Sequence, residues 1–184
     1  MGKDLLSAWK ENVFSQFGED GILQKVFELL NIKKGTCIEF GAWDGFHLAN
    51  TALLWSQKGW RGILIEGDVE KFKLLQEKVR DYNCIPLNYY VTESGENSLD
   101  IILRRHKIFD EIDLLSIDID GNDINILENL KIKPKLIVCE YNPTLPFHID
   151  IRPKGGNYFG CSGMALVNSA TDLGYTLISV TDTN

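Results

Sequence analysis

Two short segments of the chain carry residues that could bind a cofactor. The first is the run Glu39–Gly45 (EFGAWDG), which follows an apolar stretch. Glycines at this spacing let a backbone pass close to a ligand as it turns from a strand into a helix. The second segment ends at Glu66, 25 residues after Gly41, where an acidic side chain can accept hydrogen bonds from both hydroxyls of a ribose. Together they predict a site for a nucleoside-containing cofactor.

Trp43 distinguishes between two classes of such cofactor. A dinucleotide site needs glycine at the second position of G-x-G-x-x-G so that a pyrophosphate can reach a helix N-terminus, and Trp43 stands at that position. Glu39 and Asp44 make the turn acidic, which suits a cofactor with an amino group and a sulfonium better than one with two phosphates. These residues favour S-adenosylmethionine over NAD(P).

Six apolar runs, separated by helical stretches, must position these residues. Between the runs, apolar residues recur with a period near 3.6 residues, which is typical of helices, so the chain is predicted to alternate strand and helix. Crossovers of this length require parallel strands and right-handed connections, which predicts an α/β fold with a doubly wound, mainly parallel sheet. The predicted strands are residues 36–41, 62–67, 84–91, 113–119, 135–141 and 175–180. Ligands of such sheets bind where the strand order reverses.

The length of 184 residues predicts a single domain over residues 1–184. Residues 1–34 include an amphipathic helical stripe and are expected to pack on the sheet. The longest irregular segment, residues 142–161, holds three of the five prolines. It is predicted to be a substrate-side loop, because long loops in compact domains often bind ligands.

Net charge, apolar stretches and cysteine spacing indicate which classes of partner and which cellular location to expect. The net charge of -7 repels a phosphate backbone, so no nucleic-acid partner is predicted. No stretch approaches the roughly 20 apolar residues that cross a bilayer, so no membrane partner is predicted. The four cysteines form no CxxC pair, which indicates reduced thiols and a cytoplasmic location.

Several strings of the chain resemble those of class I methyltransferases. EFGAWDG followed by ILIEGD is similar to motifs I and II of that class. Over about residues 15 to 181 the chain also resembles the FkbM-like family, in SQFGEDGIL (15–23), DGFHLANT (44–51), IDLLSIDIDGND (112–123) and CEYNP (139–143). The resemblance implies a Rossmann-like fold. Related chains usually continue with a last antiparallel strand, which is absent up to Asn184, and the exposed edge predicts a homo-oligomer.

The same resemblance implies which residues hold S-adenosylmethionine. The methionine half would be lined by Glu39, Gly41, Ala42 and Gly45, and the ribose would be bound by Glu66. The adenine edge would be flanked by Gly67 and Asp68, and the residues closing over the cofactor would be Gln16 and Asp20.

Acidic residues at the ends of the fourth and fifth predicted strands point to the acceptor. Asp118, Asp120 and His148 are candidate bases for removing the proton of an acceptor hydroxyl. By similarity to methyltransferases of sugars and catechols, Mg²⁺ would be bound by Asp118, Asp120, Glu140 and Asn142. In the structural alternative, Asp118 contacts only the cofactor region.

The predicted function is an S-adenosylmethionine-dependent methyltransferase that O-methylates a hydroxyl of a sugar or another small polar metabolite. The sugar is implied by the family resemblance alone. One alternative is an NAD(P)-binding oxidoreductase on the same architecture, because a fold does not determine a function. The other is a non-catalytic, methyltransferase-like binding module.

Overall fold

The computed structural model describes residues 5–119, 121–153 and 159–184. Along these residues the strands are β1 (Thr36–Phe40), β2 (Arg61–Glu66), β3 (Cys84–Asn88), β4 (Leu114–Ile117) and β5 (Leu136–Cys139). The helices are α1 (Glu19–Leu29), α2 (Ala52–Gln57), α3 (Val69–Val79), α4 (Leu99–Arg105), α5 (Asp123–Glu128) and α6 (Gly163–Asp172), with a 3₁₀ turn at Ser7–Trp9. None of the described helices is long and apolar enough to cross a lipid bilayer.

The strands form one parallel sheet in the order β3-β2-β1-β4-β5. The chain winds outward from β1 to β3, then crosses back and adds β4 and β5 on the other side of β1. The predicted doubly wound α/β fold is confirmed. The strand order reverses between β1 and β4, and ligands of such sheets bind at that point.

Helices cover both faces of the sheet, because successive residues of a strand point to opposite faces. On one face, Ile38 and Phe40 of β1 pack in an apolar cluster with residues from α4, α5 and α6. On the other face, Cys37 of β1 packs with residues from α1, α2 and α3. Leu23 and Phe27 of α1 belong to this second cluster, so the N-terminal helix packs on the sheet.

The prediction of a sixth strand at residues 175–180 is wrong, because this segment forms no strand. It runs beside β5 and is tied near both ends, where the Tyr175 hydroxyl donates to the Pro134 carbonyl (2.8 Å) and the Tyr141 hydroxyl donates to the Thr181 carbonyl (3.0 Å). Between them lies a cavity of about 470 Å³. The apolar pattern was that of a strand, but a strand also needs a hydrogen-bonded neighbour. This cavity lies away from the β1 turn and Glu66.

β5 therefore forms an edge of the sheet beside exposed apolar side chains. Leu177 and Ile178 are 51% and 45% exposed, and an open strand edge beside apolar surface favours pairing with another chain. We expect the average mass from light scattering to rise with protein concentration, and Leu177→Ser to reduce the rise. Phe109→Ser, which removes an exposed apolar side chain elsewhere, is the control. A monomeric mass at every concentration would contradict this prediction.

Candidate cofactor site

The turn after β1 lies against the ends of both neighbouring strands. The N–H groups of Gly41 and Ala42 donate to the carbonyl of Ile65 in β2 (3.1 and 3.2 Å). Gly41 has a φ of 79°, and a Cβ there would stand 1.8 Å from the carbonyl oxygen of Asp118, the residue after β4. Glycine is therefore required, and the turn lies where the strand order reverses.

Two other predicted cofactor residues face the helical layer. Ala42 is buried in the cluster that includes residues from α1, α2 and α3. A Cβ at Gly45 would stand 3.0 Å from Leu75 and 3.1 Å from Val79, both in α3. Small residues at these positions let the turn pack closely on α3, and cofactor contact at Gly45 stays a prediction.

Glu66 ends β2 with its carboxylate held by two backbone groups. Oε2 accepts the N–H of Trp43 (2.8 Å), and Oε1 accepts the N–H of Asp68 (2.8 Å). A carboxylate oxygen can accept two hydrogen bonds, so each oxygen keeps one acceptor position beyond these backbone donors. This arrangement suits two vicinal hydroxyls, the group that a ribose presents.

Trp43 and Asp68 both contact the first turn of α3. Trp43 has a φ of 46°, its ring lies 4.2 Å from the Lys71 ammonium, and the His47 ring lies edge-on at 4.9 Å. Asp68 caps α3 by accepting the N–H groups of Lys71 and Glu70 (2.9 Å each). The hydrogen bond from the Lys71 N–H, followed by that from Glu70, holds the pKa of Asp68 below its usual value. Asp68 therefore has a structural role at the predicted adenine edge.

The end of β3 supplies two residues that sequence reasoning missed. A Cβ at Gly67 would stand 2.3 Å from the ring of Tyr90, so the Tyr90 ring lies directly against this glycine. The Asn88 side chain donates to the carbonyls of Glu66 (2.7 Å) and Gly67 (3.1 Å). Tyr90 is 68% exposed and offers an aromatic face beside Glu66. The available signal was their position at the carboxyl end of the strand next to β2.

Glu39 is buried below the turn and binds the loop before α2. Oε1 accepts the N–H of Asn50 (2.8 Å), and Oε2 accepts the N–H and hydroxyl of Thr51 (3.3 and 2.6 Å). The Asn50 amide also donates to the Ser116 hydroxyl of β4 (3.1 Å). Burial raises the pKa of Glu39 to about 7, although the bonds from Thr51 and Asn50 lower it. Glu39 thus joins β1 to this loop, and Asn50 joins the loop to β4. The spacing of the motifs predicts no role for Asn50 or Thr51.

The turn carries less negative charge than the sequence suggests. Partial burial raises the pKa of Asp44, but hydrogen bonds from Lys78 and from the N–H groups of His47 and Phe46 outweigh it and lower the pKa. Asp44 also forms an ion pair with Lys78. Because the pKa of Glu39 is about 7, this group is partly protonated at neutral pH. The argument from an acidic turn is therefore weaker, and Glu66 becomes the more important carboxylate.

The predicted covering residues lie just before α1 and at its start. Gln16 is exposed, and Asp20 is buried. The Asp20 carboxylate binds the backbone of the preceding segment through Val13, Phe14 and Ser15. Asp20 therefore supports the chain around Gln16, and direct contact of either side chain with a cofactor stays a prediction.

Asp118 follows β4 at the reversal of strand order and is half-buried. Its charge contributes to the raised pKa of Glu39, so the two carboxylates are close neighbours. Shortly after Asp118 in the chain, the Asp123 carboxylate accepts the N–H groups of Ile119 (2.9 Å) and Gly121 (2.8 Å). Asp120 lies outside the described residues, so its predicted role has no structural test.

The Mg²⁺ site of Asp118, Asp120, Glu140 and Asn142 stays a prediction, because Asp120 lies outside the described residues. No group of three histidine, cysteine, aspartate or glutamate side chains suited to a metal occurs in the part of the chain that the structure describes. The Asn142 oxygen accepts from the N–H and hydroxyl of Thr144 (2.9 and 2.7 Å), and its amide donates to the Phe159 carbonyl (2.7 Å). The Asn142 side chain therefore organises the start of residues 142–161. His148 is exposed, next to Phe147, whose ring packs on Tyr141 at 5.4 Å.

Comparison with known proteins gives a family match to part of the chain and matches to several solved structures. Residues 93–155, about a third of the chain, match the family described as the methyltransferase FkbM domain. No curated protein matches the chain. A fibrillarin/Nop5p complex is 23% identical over 51% of this chain and 41% of that chain, with a TM-score of 0.33, so this chain spans about two-fifths of its length. An Aquifex aeolicus SAM dependent methyltransferase is 18% identical over 86% of this chain and 79% of that chain, with a TM-score of 0.45.

The matched segment contains β4, β5 and the beginning of residues 142–161. It therefore includes the strand ends that carry Asp118 and Glu140, while the glycine turn and Glu66 lie outside it. The segment match agrees with the resemblance of the motifs, and the sheet has the topology which that resemblance implies. Over residues 93–155 the chain is similar to the methyltransferase FkbM domain.

Proposed function

We propose that this protein binds S-adenosylmethionine across the carboxyl ends of β1 and β2 and transfers its methyl group to a hydroxyl of a small polar acceptor. The observation that carries the proposal is the orientation of Glu66, whose two oxygens are each bound by one backbone N–H. One further acceptor position on each oxygen matches the two hydroxyls of the cofactor ribose.

The residues around Glu66 suit the rest of the adenosine. The exposed Tyr90 ring beside Gly67 offers an apolar face for the adenine base. The close-packed turn at Gly41 leaves backbone rather than side chain at the reversal of strand order. These features support binding of the nucleoside on the β2 side and of the methionine half on the β1 side.

The proposed reaction is an in-line displacement at the methyl carbon. The bound cofactor supplies a methyl group activated by a positively charged sulfur. The acceptor oxygen forms the new bond to carbon, and the sulfur keeps the electron pair of the broken bond, which leaves S-adenosylhomocysteine. Asp118, half-buried after β4, takes the hydroxyl proton in this proposal, and alignment by the site does most of the work. His148 and Asp120 are the other candidate bases.

A sugar is the proposed acceptor class, and this finer assignment depends on the FkbM-like resemblance. The exposed Phe159 and the partly buried Tyr141 offer apolar ring faces on which a sugar could rest. No step of the proposal uses a metal. A cytoplasmic location stays a prediction.

A ligand-binding experiment tests the cofactor. We expect S-adenosylhomocysteine to raise the melting temperature and NADH to leave it unchanged, because Trp43 occupies the position through which a pyrophosphate would approach. The assay is run with and without EDTA, and the cofactor effect is expected to be independent of the chelator. Stabilisation by NADH alone would favour the oxidoreductase alternative.

A transfer experiment then separates an enzyme from a binding module. Methyl transfer from labelled S-adenosylmethionine is measured on a panel of sugars and small alcohols, with the Asp118→Asn variant as comparison. If the unmodified protein binds S-adenosylmethionine but transfers its methyl group to no member of the panel, the result would favour the non-catalytic module. Loss of transfer in Asp118→Asn, with cofactor binding retained, is the expected result.

A further inference from the structure

Trp43 occupies a backbone conformation that large residues rarely adopt. Its φ of 46° lies in the left-handed region, where a bulky side chain is strained and glycine is favoured. In this conformation its N–H donates to Oε2 of Glu66 (2.8 Å). Because a strained residue persists only where its surroundings hold it, contacts of the Trp43 side chain are needed to keep this N–H in place.

The indole of Trp43 is held from α3 and from its own loop. The ammonium of Lys71, in the first turn of α3, lies 4.2 Å from the indole centroid. The His47 ring lies edge-on, with 4.9 Å between centroids. A cation over an aromatic face is attracted by the negative charge of that face. Because the Trp43 side chain is 42% exposed, these two contacts are important for its position.

Lys71 is also connected to the other oxygen of Glu66, through its backbone. The N–H of Lys71 donates to Oδ1 of Asp68 (2.9 Å), and the N–H of Asp68 donates to Oε1 of Glu66 (2.8 Å). Of the effects that lower the pKa of Asp68, the hydrogen bond from the Lys71 N–H is the largest, and the charge of Lys71 also lowers it. Lys71 is therefore anchored on Asp68 while its side chain reaches Trp43.

These contacts form a closed cycle of four residues. The cycle leads from Glu66 through the N–H and indole of Trp43 to the Lys71 ammonium, and back through the Lys71 N–H and Asp68 to Glu66. Both oxygens of Glu66 are held by it, and Lys71 joins its two halves. A carboxylate that is already fixed loses less conformational freedom when a ligand binds.

We infer that Lys71 is a positioning residue for the ribose contact of Glu66. Its ammonium holds the indole of Trp43, the indole keeps the strained backbone of that residue in place, and the Trp43 N–H then orients Oε2 of Glu66 for a ribose hydroxyl. Lys71 itself does not touch the cofactor. The inference rests on the proposed function, because it needs Glu66 to bind the ribose.

Isothermal titration calorimetry with S-adenosylhomocysteine tests the inference. Lys71→Met removes the ammonium and keeps an unbranched side chain, and it is expected to weaken binding about fivefold, as loss of a cation–π contact would. Lys71→Arg keeps a cation over the indole and should bind like the unmodified protein. Lys73→Met is the matched control, because Lys73 lies on the same helix but pairs with Glu70 at the surface. Its affinity should be unchanged.

A double-mutant cycle shows whether Lys71 acts through Glu66. In the Glu66→Gln background, Lys71→Met is expected to cause no further loss of affinity, because effects that operate through one shared contact are not additive. The same fivefold loss in both backgrounds would contradict the positioning role.

Hydrogen exchange followed by NMR gives a measurement without ligand. The Trp43 amide is expected to exchange faster in Lys71→Met than in Lys73→Met, because its hydrogen bond to Glu66 opens more often. Equal exchange in the two variants would refute the route through Trp43. If Lys71→Met binds S-adenosylhomocysteine as tightly as Lys73→Met does, the inference is refuted and the proposed function stands. If the unmodified protein does not bind this ligand, both are refuted.

Discussion

Glu66→Gln is expected to weaken the binding of S-adenosylhomocysteine by about 100-fold. The glutamine amide cannot accept hydrogen bonds at its nitrogen, so one of the two backbone donors, from Trp43 or Asp68, faces another N–H group. One ribose hydroxyl also loses its charged acceptor. Hydrogen bonds to charged groups contribute about 1.5–3 kcal/mol each, and a total loss of about 3 kcal/mol corresponds to about 100-fold in affinity. Isothermal titration calorimetry measures the change.

The control for this experiment is Glu70→Gln, which makes the same chemical change four residues further along the chain. Glu70 is exposed on α3 and pairs with Lys73 at the surface, so its replacement should leave the affinity unchanged. Thermal denaturation of both variants shows whether Glu66→Gln is folded. A folded Glu66→Gln variant that binds like Glu70→Gln would refute the proposed ribose contact.

The sequence was informative where spacing along the chain determines position in space. Glu39, Gly41 and Glu66 end parallel strands, and parallel strands present their carboxyl ends at the same edge of a sheet. Their neighbourhood could therefore be predicted without knowing the path of any loop. The same reasoning identified the order of strand and helix, because crossover lengths and hydrophobic periods are local properties.

The hydrogen-bond partners of these residues depend on the paths of loops, and the hydrophobic periodicity of the sequence does not specify those paths. Glu39 binds Asn50 and Thr51, 11 and 12 residues further along the chain, after the turn has reversed direction. Asp44 forms an ion pair with Lys78, which lies 34 residues further along the chain, in the last turn of α3. The overestimated acidity of the turn followed from treating such carboxylates as unpaired. The prediction of a sixth strand was wrong for a related reason. An apolar pattern identifies a buried face, but it does not show that a neighbouring strand is there to form hydrogen bonds.

The free energy of unfolding is expected to fall as the pH rises from about 4.5 to about 7, because Glu39 titrates over different ranges in the two states. Burial raises the pKa of this carboxyl from 4.5 to about 7 in the folded protein, against the hydrogen bonds from Thr51 and Asn50. The folded state then binds the proton more tightly than the unfolded state. The stabilisation is complete below pH 4.5 and is lost as the pH passes the folded value. At 1.36 kcal/mol for each pKa unit, its full size is about 3 kcal/mol.

Urea denaturation of the unmodified protein and Glu39→Gln isolates this contribution. A glutamine does not titrate, so the difference in unfolding free energy between the two proteins should shrink steadily across this pH window and be constant outside it. Asp44, whose pKa is lowered from 3.8, loses its contribution only as the pH falls below that window, and it is common to both proteins. Glu70→Gln makes the same substitution at an exposed carboxylate and serves as the comparison. A flat difference for Glu39→Gln would show that Glu39 titrates normally, and the buried network with Asn50 and Thr51 would then hold an ionised carboxylate at neutral pH.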